Sequence, residues 1–206
     1  GVCLKGRQLT LCHNGEEIPV LTIDEMKLLG NHNVENYMAA IAIAYFMGVP
    51  VEVIRKVCME FKGVEHRIEF VKEVKGVAYY NDSKGTNPDA AIKGIQAMNR
   101  PTLLIGGGYD KKVPFDDWIE SFDGKVRYLV LIGQTAQLIA ETARKHGFDS
   151  IIFEDDLEAA VKTCYRLANA GDAVLLSPAC ASWGQFDNYE QRGDMFKEFV
   201  RSLPEQ

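Results

Sequence analysis

The sequence has no apolar stretch long enough to cross a lipid bilayer. The longest apolar run covers residues 37–47, well short of the ~18–20 residues that a membrane-spanning helix needs. The first residues also lack the charged and apolar regions of a signal peptide. We therefore expect a cytoplasmic protein without a membrane partner.

A basic cluster is also lacking. The 206 residues include 23 Lys and Arg against 29 Asp and Glu, which gives a formal net charge of −6. Proteins that bind nucleic acid need a basic patch, because phosphate contacts supply much of the affinity. The charge balance argues against a nucleic-acid partner, although a few cations in one cleft are enough to bind a small anion.

Cysteine and histidine are scarce and scattered. No CxxC pair occurs, and the four histidines show no metal-ligand spacing. We interpret the cysteines as reduced thiols of a cytoplasmic protein and expect no metal ligands in this chain. The five cysteines are Cys3, Cys12, Cys58, Cys164 and Cys180.

The first third of the chain predicts the end of a domain rather than a complete one. Asn14-Gly15 separates two alternating segments and predicts a hairpin. Asn33 is a candidate cap for a helix that ends at Gly48, and Pro50 begins a second helix. Because the chain starts at a Gly already inside a strand pattern, we expect it to be a fragment. We expect a domain boundary near Arg67, because the sequence pattern changes after that residue.

From residue 68 onward, strand and helix patterns alternate, which predicts an α/β domain with a mostly parallel sheet. Continuously apolar runs such as LVLI and AVLL are typical of strands covered on both faces. The predicted strands are 68–74, 77–80, 102–105, 128–132, 151–153 and 173–176. The predicted helices are 88–98, 115–122, 135–146, 157–169 and 194–202.

Three unusual strings follow predicted strands: NDSKGTNP at 81–88, GGGYDKK at 106–112 and SPACASW at 177–183. In open α/β sheets, ligands bind beyond the carboxyl ends of the strands. Three such loops on one rim predict a ligand site there. The first string offers helix-start amides that suit a carboxylate or phosphate, and the second offers glycines for close backbone approach.

Each string also has a plainer interpretation. The first is an ordinary capped turn, and the second is a flexible loop with solvated lysines, since it does not match GxxxxGK[ST]. Cys180 has no histidine nearby in sequence and is more often packed than nucleophilic, while Ser182 lacks a GxSxG elbow. His66-Arg67 is either an exposed basic pair or an Arg aimed at a phosphate across an interdomain cleft.

Five strings together resemble the Mur ligases, the ATP-dependent amide-bond ligases of peptidoglycan synthesis. They are GNHNVEN, GVEHRIEFV, NDSKGTNPDA, GGGYDKK and LLSPACASWGQFDNYEQRGDMF, and they span essentially the whole chain. The D-glutamate-adding branch is the closest, because no DNPR-type string is present. The resemblance implies that residues 1–67 are the tail of a central ATPase domain and 68–206 a Rossmann-like C-terminal domain.

The resemblance also implies a reaction and roles. ATP phosphorylates the carboxylate of UDP-N-acetylmuramoyl-L-alanine, and the amine of D-glutamate attacks the acyl phosphate. Thr86 and Lys111 would hold one carboxylate of D-glutamate, Ser182 and the Tyr189 segment the other. Lys84 would lie beside the reacting centre as a catalytic residue.

The nucleotide roles implied by the resemblance fall on four residues. Asn33, Asn36 and Asp82 would contact adenine or ribose, and Arg67 would contact the γ-phosphate as a second catalytic residue. The family uses ATP and Mg²⁺, but its phosphate loop and magnesium ligands have no counterpart here. We therefore expect the isolated fragment to be inactive. We also expect the ligase to be a monomer.

Two other classes stay open. A paralogous ligase such as a folylpolyglutamate synthase shares GNHN, although SPACAS argues against it. A non-catalytic nucleotide-binding module would carry GxGxxG after the first strand, which NDSKGTNP does not supply.

Overall fold

The computed structural model describes residues 1–205, which form two compact units, Gly1–Gly63 and a second that begins at Val64. The division lies a few residues before the predicted boundary at Arg67. The reason is that the segment after Gly63 is tied to the second unit. Lys84 N donates to His66 O at 3.0 Å, and Lys197 forms an ion pair with Glu65.

The first unit combines a three-stranded antiparallel sheet with two helices. The predicted hairpin is confirmed, with Asn14 and Gly15 both at positive φ. A second turn at Gly6, which we did not predict, separates the first two strands. The elements are β1 (Val2–Lys5), β2 (Gln8–His13), β3 (Glu16–Thr22), α1 (Asn31–Phe46) and α2 (Val51–Glu60).

The predicted cap of α1 is wrong. The helix begins at Asn31 after Gly30, whose φ of 94° suits glycine. Asn33 therefore lies inside the first turn, where its side-chain amide donates to Leu29 O at 2.7 Å. The end is as predicted, because the chain leaves the helix at Gly48 with a φ of 87°.

The second unit is built on a six-stranded sheet of order β4-β5-β9-β6-β7-β8. Only the β4–β5 pair is antiparallel, so the predicted mostly parallel α/β sheet is confirmed. The strands are β4 (Glu69–Val74), β5 (Val77–Asn81), β6 (Thr102–Gly106), β7 (Val126–Leu131), β8 (Ile151–Phe153) and β9 (Ala173–Leu176).

Helices cover both faces of this sheet. Helices α3, α4 and α5 pack in one layer and α6 and α7 in the other, and every residue of β6 and β9 is buried between them. This burial explains the continuously apolar strand sequences. The helices are α3 (Pro88–Ala97), α4 (Asp116–Glu120), α5 (Ala136–Lys145), α6 (Leu157–Leu167) and α7 (Tyr189–Arg201).

Helix α7 starts well before the predicted residue, Asp194. The side chain of Asn188 accepts a hydrogen bond from Gln191 N at 2.7 Å and caps the helix there. Tyr189 is consequently the first helical residue rather than part of a loop.

The strand order brings the three unusual strings together. Strand β9 lies between β5 and β6 and runs parallel to both, so their carboxyl ends share one edge. We call the following segments the β5 loop (82–87), the β6 loop (107–115) and the β9 loop (177–188). The prediction that all three lie on one rim is confirmed.

The two units should differ in local stability. The first exposes large apolar side chains on its helices, including Ile43, Phe46 and Met47, whereas β6 and β9 are fully buried. We expect amide hydrogens in residues 1–63 to exchange faster than those of β6, β7 and β9. Exchange followed by mass spectrometry tests this, and equal protection in both units would contradict it.

Candidate functional site

Backbone hydrogen bonds join the β6 and β9 loops. Gly107 N donates to Pro178 O and Tyr109 N donates to Ala181 O, both at 2.9 Å. A Cβ on Gly108, whose φ is 147°, would lie 2.5 Å from Ala181 O. The glycine is therefore required because two stretches of backbone touch, and this segment is a packed part of the rim.

A buried arginine joins the β5 and β9 loops. Arg192 on α7 is only 1% exposed. Its guanidinium donates to Ser83 O at 2.8 Å, to Ser83 Oγ at 2.9 Å and to Cys180 O at 3.1 Å. Burial lowers the pKa of Arg192 to about 10, so it remains charged at neutral pH. In the sequence, Arg192 occurs only within the long string that begins at Leu175, and no local pattern indicates its role.

The predicted basic pair separates into two different environments. His66 is buried, and its Nδ1 accepts a hydrogen bond from the Asn81 amide at 3.0 Å. A Cβ on Gly193 of α7 would collide with this imidazole, so the ring packs directly on the helix backbone. Arg67 is exposed, which leaves its guanidinium accessible to an anion.

Asp82, at the start of the β5 loop, points into the interior. It is 4% exposed; its carboxylate accepts from Ser177 Oγ at 2.7 Å and from Ile68 N at 3.3 Å. Burial raises the pKa of Asp82 to about 7, although these two hydrogen bonds oppose the shift. A Cβ on Gly85 or Gly94 would approach this carboxylate within 3 Å, so the carboxyl fills the space that these glycines leave.

Lys84 and Tyr189 meet where the β5 loop faces α7. Lys84 Nζ donates to the Tyr189 hydroxyl at 3.3 Å and lies 5.2 Å from the centre of its ring. The Tyr189 carbonyl accepts from Ser83 Oγ at 2.8 Å. Two of the predicted site residues are thus in direct contact, and the backbone of Tyr189 is itself tied to the β5 loop.

Lys111 and Lys112 are neighbours with different partners. Lys111 Nζ donates to Thr86 O at 3.1 Å, which brings two further predicted residues together. Lys112 Nζ is paired with Asp110 at 3.2 Å. Within residues 1–205, no carboxylate lies at ion-pair distance from Lys111, so its ammonium can still accept an anionic partner.

The β9 loop contains Ser182 and Cys180, both buried. Cys180 Sγ lies 3.3 Å from Thr135 Oγ1, and burial raises the pKa of the Cys180 thiol to about 11. It is therefore a packed thiol rather than a nucleophile. Ser182 lies next to the Ala181 bridge that joins this loop to the β6 loop.

The remaining predicted nucleotide contacts lie in the first unit. Asn33 is buried and Asn36 is exposed, and Asn36 Nδ2 donates to Asn33 Oδ1 at 3.2 Å. The two amides therefore form a pair on α1, of which only Asn36 is accessible.

One group of side chains has a composition typical of a metal site. Glu65, His66 and Asp194 offer ligand atoms within 4.8 Å of one another. However, the buried ammonium of Lys197 lies 3.0 Å from Asp194 and also pairs with Glu65. Since the Lys197 ammonium already pairs with both carboxylates and would repel a second cation, the group does not fit a divalent metal ion.

The chain matches a protein family. A family model described as "Mur ligase, glutamate ligase domain" matches residues 66–180. Among residues 1–205, we find no helix of the length and apolarity that a bilayer crossing requires.

Curated relatives match nearly the whole chain. The UDP-N-acetylmuramoylalanine--D-glutamate ligase of Lachnospira eligens is 52% identical over 203 residues, which cover 98% of this chain and 45% of that protein. The ligase of the same name from Lachnoclostridium phytofermentans is 50% identical over 206 residues, covering 100% and 45%. The chain therefore spans less than half the length of these relatives.

Solved structures share the fold at low identity. UDP-N-acetylmuramate-alanine ligase MurC from Thermotoga maritima is 17% identical with a TM-score of 0.68, covering 95% of this chain and 44% of that one. Folylpolyglutamate synthase from Thermotoga maritima is 17% identical with a TM-score of 0.67, covering 100% and 47%.

Removing the Arg192 guanidinium should destabilise the second unit strongly. Arg192→Met leaves the buried Ser83 and Cys180 carbonyls without a donor, and we expect a loss of about 2–5 kcal/mol in the free energy of unfolding. Urea unfolding measures this loss. Arg201→Met, an exposed arginine on the same helix, is the control and should change stability little. A loss no larger than the control's would contradict the role given to Arg192.

Asp82 should make stability depend on pH. The unfolded chain releases this proton near pH 4, whereas the folded chain holds it to about pH 7. Because the folded state binds more protons between these values, its stability should fall as the pH rises. Relative to Asp82→Asn, the free energy of unfolding should decline by on the order of 1 kcal/mol per pH unit. Unfolding of both proteins from pH 4 to 7 tests this, and parallel curves would contradict it.

Proposed function

The chain belongs to the Mur ligase family, and on that premise we propose that it forms the D-glutamate-binding part of an ATP-dependent ligase of peptidoglycan synthesis. That ligase would join D-glutamate to UDP-N-acetylmuramoyl-L-alanine. The observation that carries the proposal is the Lys111 ammonium, which lies at Thr86 on the rim without an acidic partner in residues 1–205. The names of the relatives that are about 50% identical support the choice of substrate.

The proposed reaction needs a pocket for two carboxylates. Lys111 and Thr86 bind one of them, and the ammonium supplies the charge that a carboxylate requires on leaving water. Ser182 and the Tyr189 segment bind the other. The packed loops hold these groups in fixed positions, so the amine of D-glutamate is oriented when it attacks the acyl phosphate.

Lys84 is the residue that we propose beside the reacting centre. Its ammonium is half-buried and held by the hydroxyl and ring of Tyr189. A cation at this position stabilises the negative charge that develops on the tetrahedral intermediate. The tetrahedral intermediate then collapses: the bond between the acyl carbon and the phosphate oxygen breaks, the attacking nitrogen loses a proton, and the amide and phosphate are released.

We propose ATP contacts in both units: Asn33 and Asn36 in the first, Arg67 and Asp82 in the second. Arg67 and Asn36 are exposed and suit direct contacts, Arg67 with the γ-phosphate through its planar fork. Asn33 and Asp82 are already hydrogen-bonded inside their units, so they would have to exchange those bonds to bind ATP. Magnesium would neutralise phosphate charge during transfer, with ligands supplied from outside this chain.

The remaining expectations are part of the same proposal. Five free cysteines among residues 1–205 suit a reducing compartment, and we propose a cytoplasmic, monomeric enzyme whose partners are small molecules. A folylpolyglutamate synthase is the alternative. Its structural likeness at 17% identity shows a shared fold and does not distinguish the substrates.

Lys111→Ala in the complete ligase polypeptide tests the proposal. A hydrogen bond to a charged group contributes about 1.5–3 kcal/mol, so kcat/KM for D-glutamate should fall about 10- to 200-fold while KM for ATP stays unchanged. Lys112→Ala removes the adjacent ammonium, which is paired with Asp110, and should change neither. Steady-state phosphate release with each substrate varied in turn measures both. A rise in KM for ATP alone would show that this loop does not bind the amino acid.

A further inference from the structure

An exposed pair of aromatic rings lies beside Lys111. Trp183 of the β9 loop is 56% exposed, and its ring centre lies 5.4 Å from that of Tyr109 in the β6 loop, with the planes at 62°. The backbone bond from Tyr109 N to Ala181 O fixes the loops that carry the two rings. An isolated surface aromatic needs no explanation, but this pair is held by main-chain contacts at the candidate site.

The Lys111 ammonium is held between the indole and a carbonyl. Its Nζ lies 5.8 Å from the centre of the Trp183 ring and donates to Thr86 O at 3.1 Å. Attraction between a cation and an aromatic face operates at this distance. An ammonium has three N–H donors, so two remain for a ligand after the bond to Thr86.

Order in this side chain has a consequence for binding. A lysine on the surface samples many rotamers, and fixing it on a ligand costs conformational entropy. When the side chain is already ordered in the free protein, less of that cost falls on the binding step.

We infer that Trp183 is a positioning residue for substrate binding: its indole holds the Lys111 ammonium at Thr86, ready for a carboxylate of the amino-acid substrate. This inference rests on the proposed function, since it takes Lys111 as the carboxylate ligand. Trp183 is exposed and touches no reacting atom, yet it contributes to the affinity for the amino acid.

The variant Trp183→Leu tests this in the complete ligase polypeptide. Leucine keeps an apolar side chain but removes the aromatic face, and the exposed position allows the substitution without loss of the fold. We expect KM for D-glutamate to rise about two- to five-fold, with kcat and KM for ATP unchanged. Trp183→Phe retains an aromatic face and should lie nearer the parent value. Phe153→Leu, at a 45% exposed aromatic residue on β8, is the control and should change none of these constants.

The same substitution in a Lys111→Met background separates positioning from direct contact. If the indole acts through the ammonium, Trp183→Leu should have no further effect there. An equal rise in KM in that background would overturn the inference, as would an unchanged KM for Trp183→Leu in the parent. Phosphate release that depends on D-glutamate in the parent enzyme supports the proposed function, whatever the Trp183 variants show. A parent enzyme without this dependence overturns both the proposed function and the inference about Trp183.

Discussion

The geometry of the rim depends on a charged guanidinium placed where water cannot reach it. Arg192 donates to backbone oxygens of the β5 and β9 loops, and its Nε also fixes the Ser83 hydroxyl, which in turn donates to Tyr189 O. Removing such a group from water is unfavourable unless its donors are satisfied, so the loops must adopt positions that satisfy them. The same contacts therefore fix the position of Lys84 on the β5 loop relative to Ser182 on the β9 loop.

Much of the architecture is predictable because burial leaves a direct trace in the sequence. Continuous apolar runs predict β6, β7 and β9, and Asn-Gly predicts the first-unit hairpin. The starts of two helices are less predictable, since α1 begins after Gly30 and α7 after Asn188. In each case the observed cap precedes the predicted one, Asn33 for α1 and Asp194 for the start of α7. The insertion of β9 between β5 and β6 has no local signal, since strand order is decided by long-range packing.

The environment of single site residues is also hard to predict from the sequence, because it depends on long-range packing. Adjacent lysines 111 and 112 look equivalent in sequence, yet one pairs with Asp110 and the other donates to a carbonyl on a different loop. Arg192 lies before the predicted helix 194–202, and nothing in the local pattern reveals that it belongs to α7 and packs under two loops. His66 and Arg67 likewise differ only through the packing of His66 on Gly193.

The buried carboxyl of Asp82 bears on how α3 is built. Gly94 lies in the middle of that helix, where glycine is less favourable than alanine by roughly 0.5–1 kcal/mol. A side chain there would meet both Asp82 and Ser177 at 2.8 Å. The helix therefore gives up intrinsic stability to leave room for a polar pair from two neighbouring strand ends. Substitutions at position 94 that strengthen the isolated helix would weaken the folded domain, so ranking them by helix propensity alone would give the wrong order.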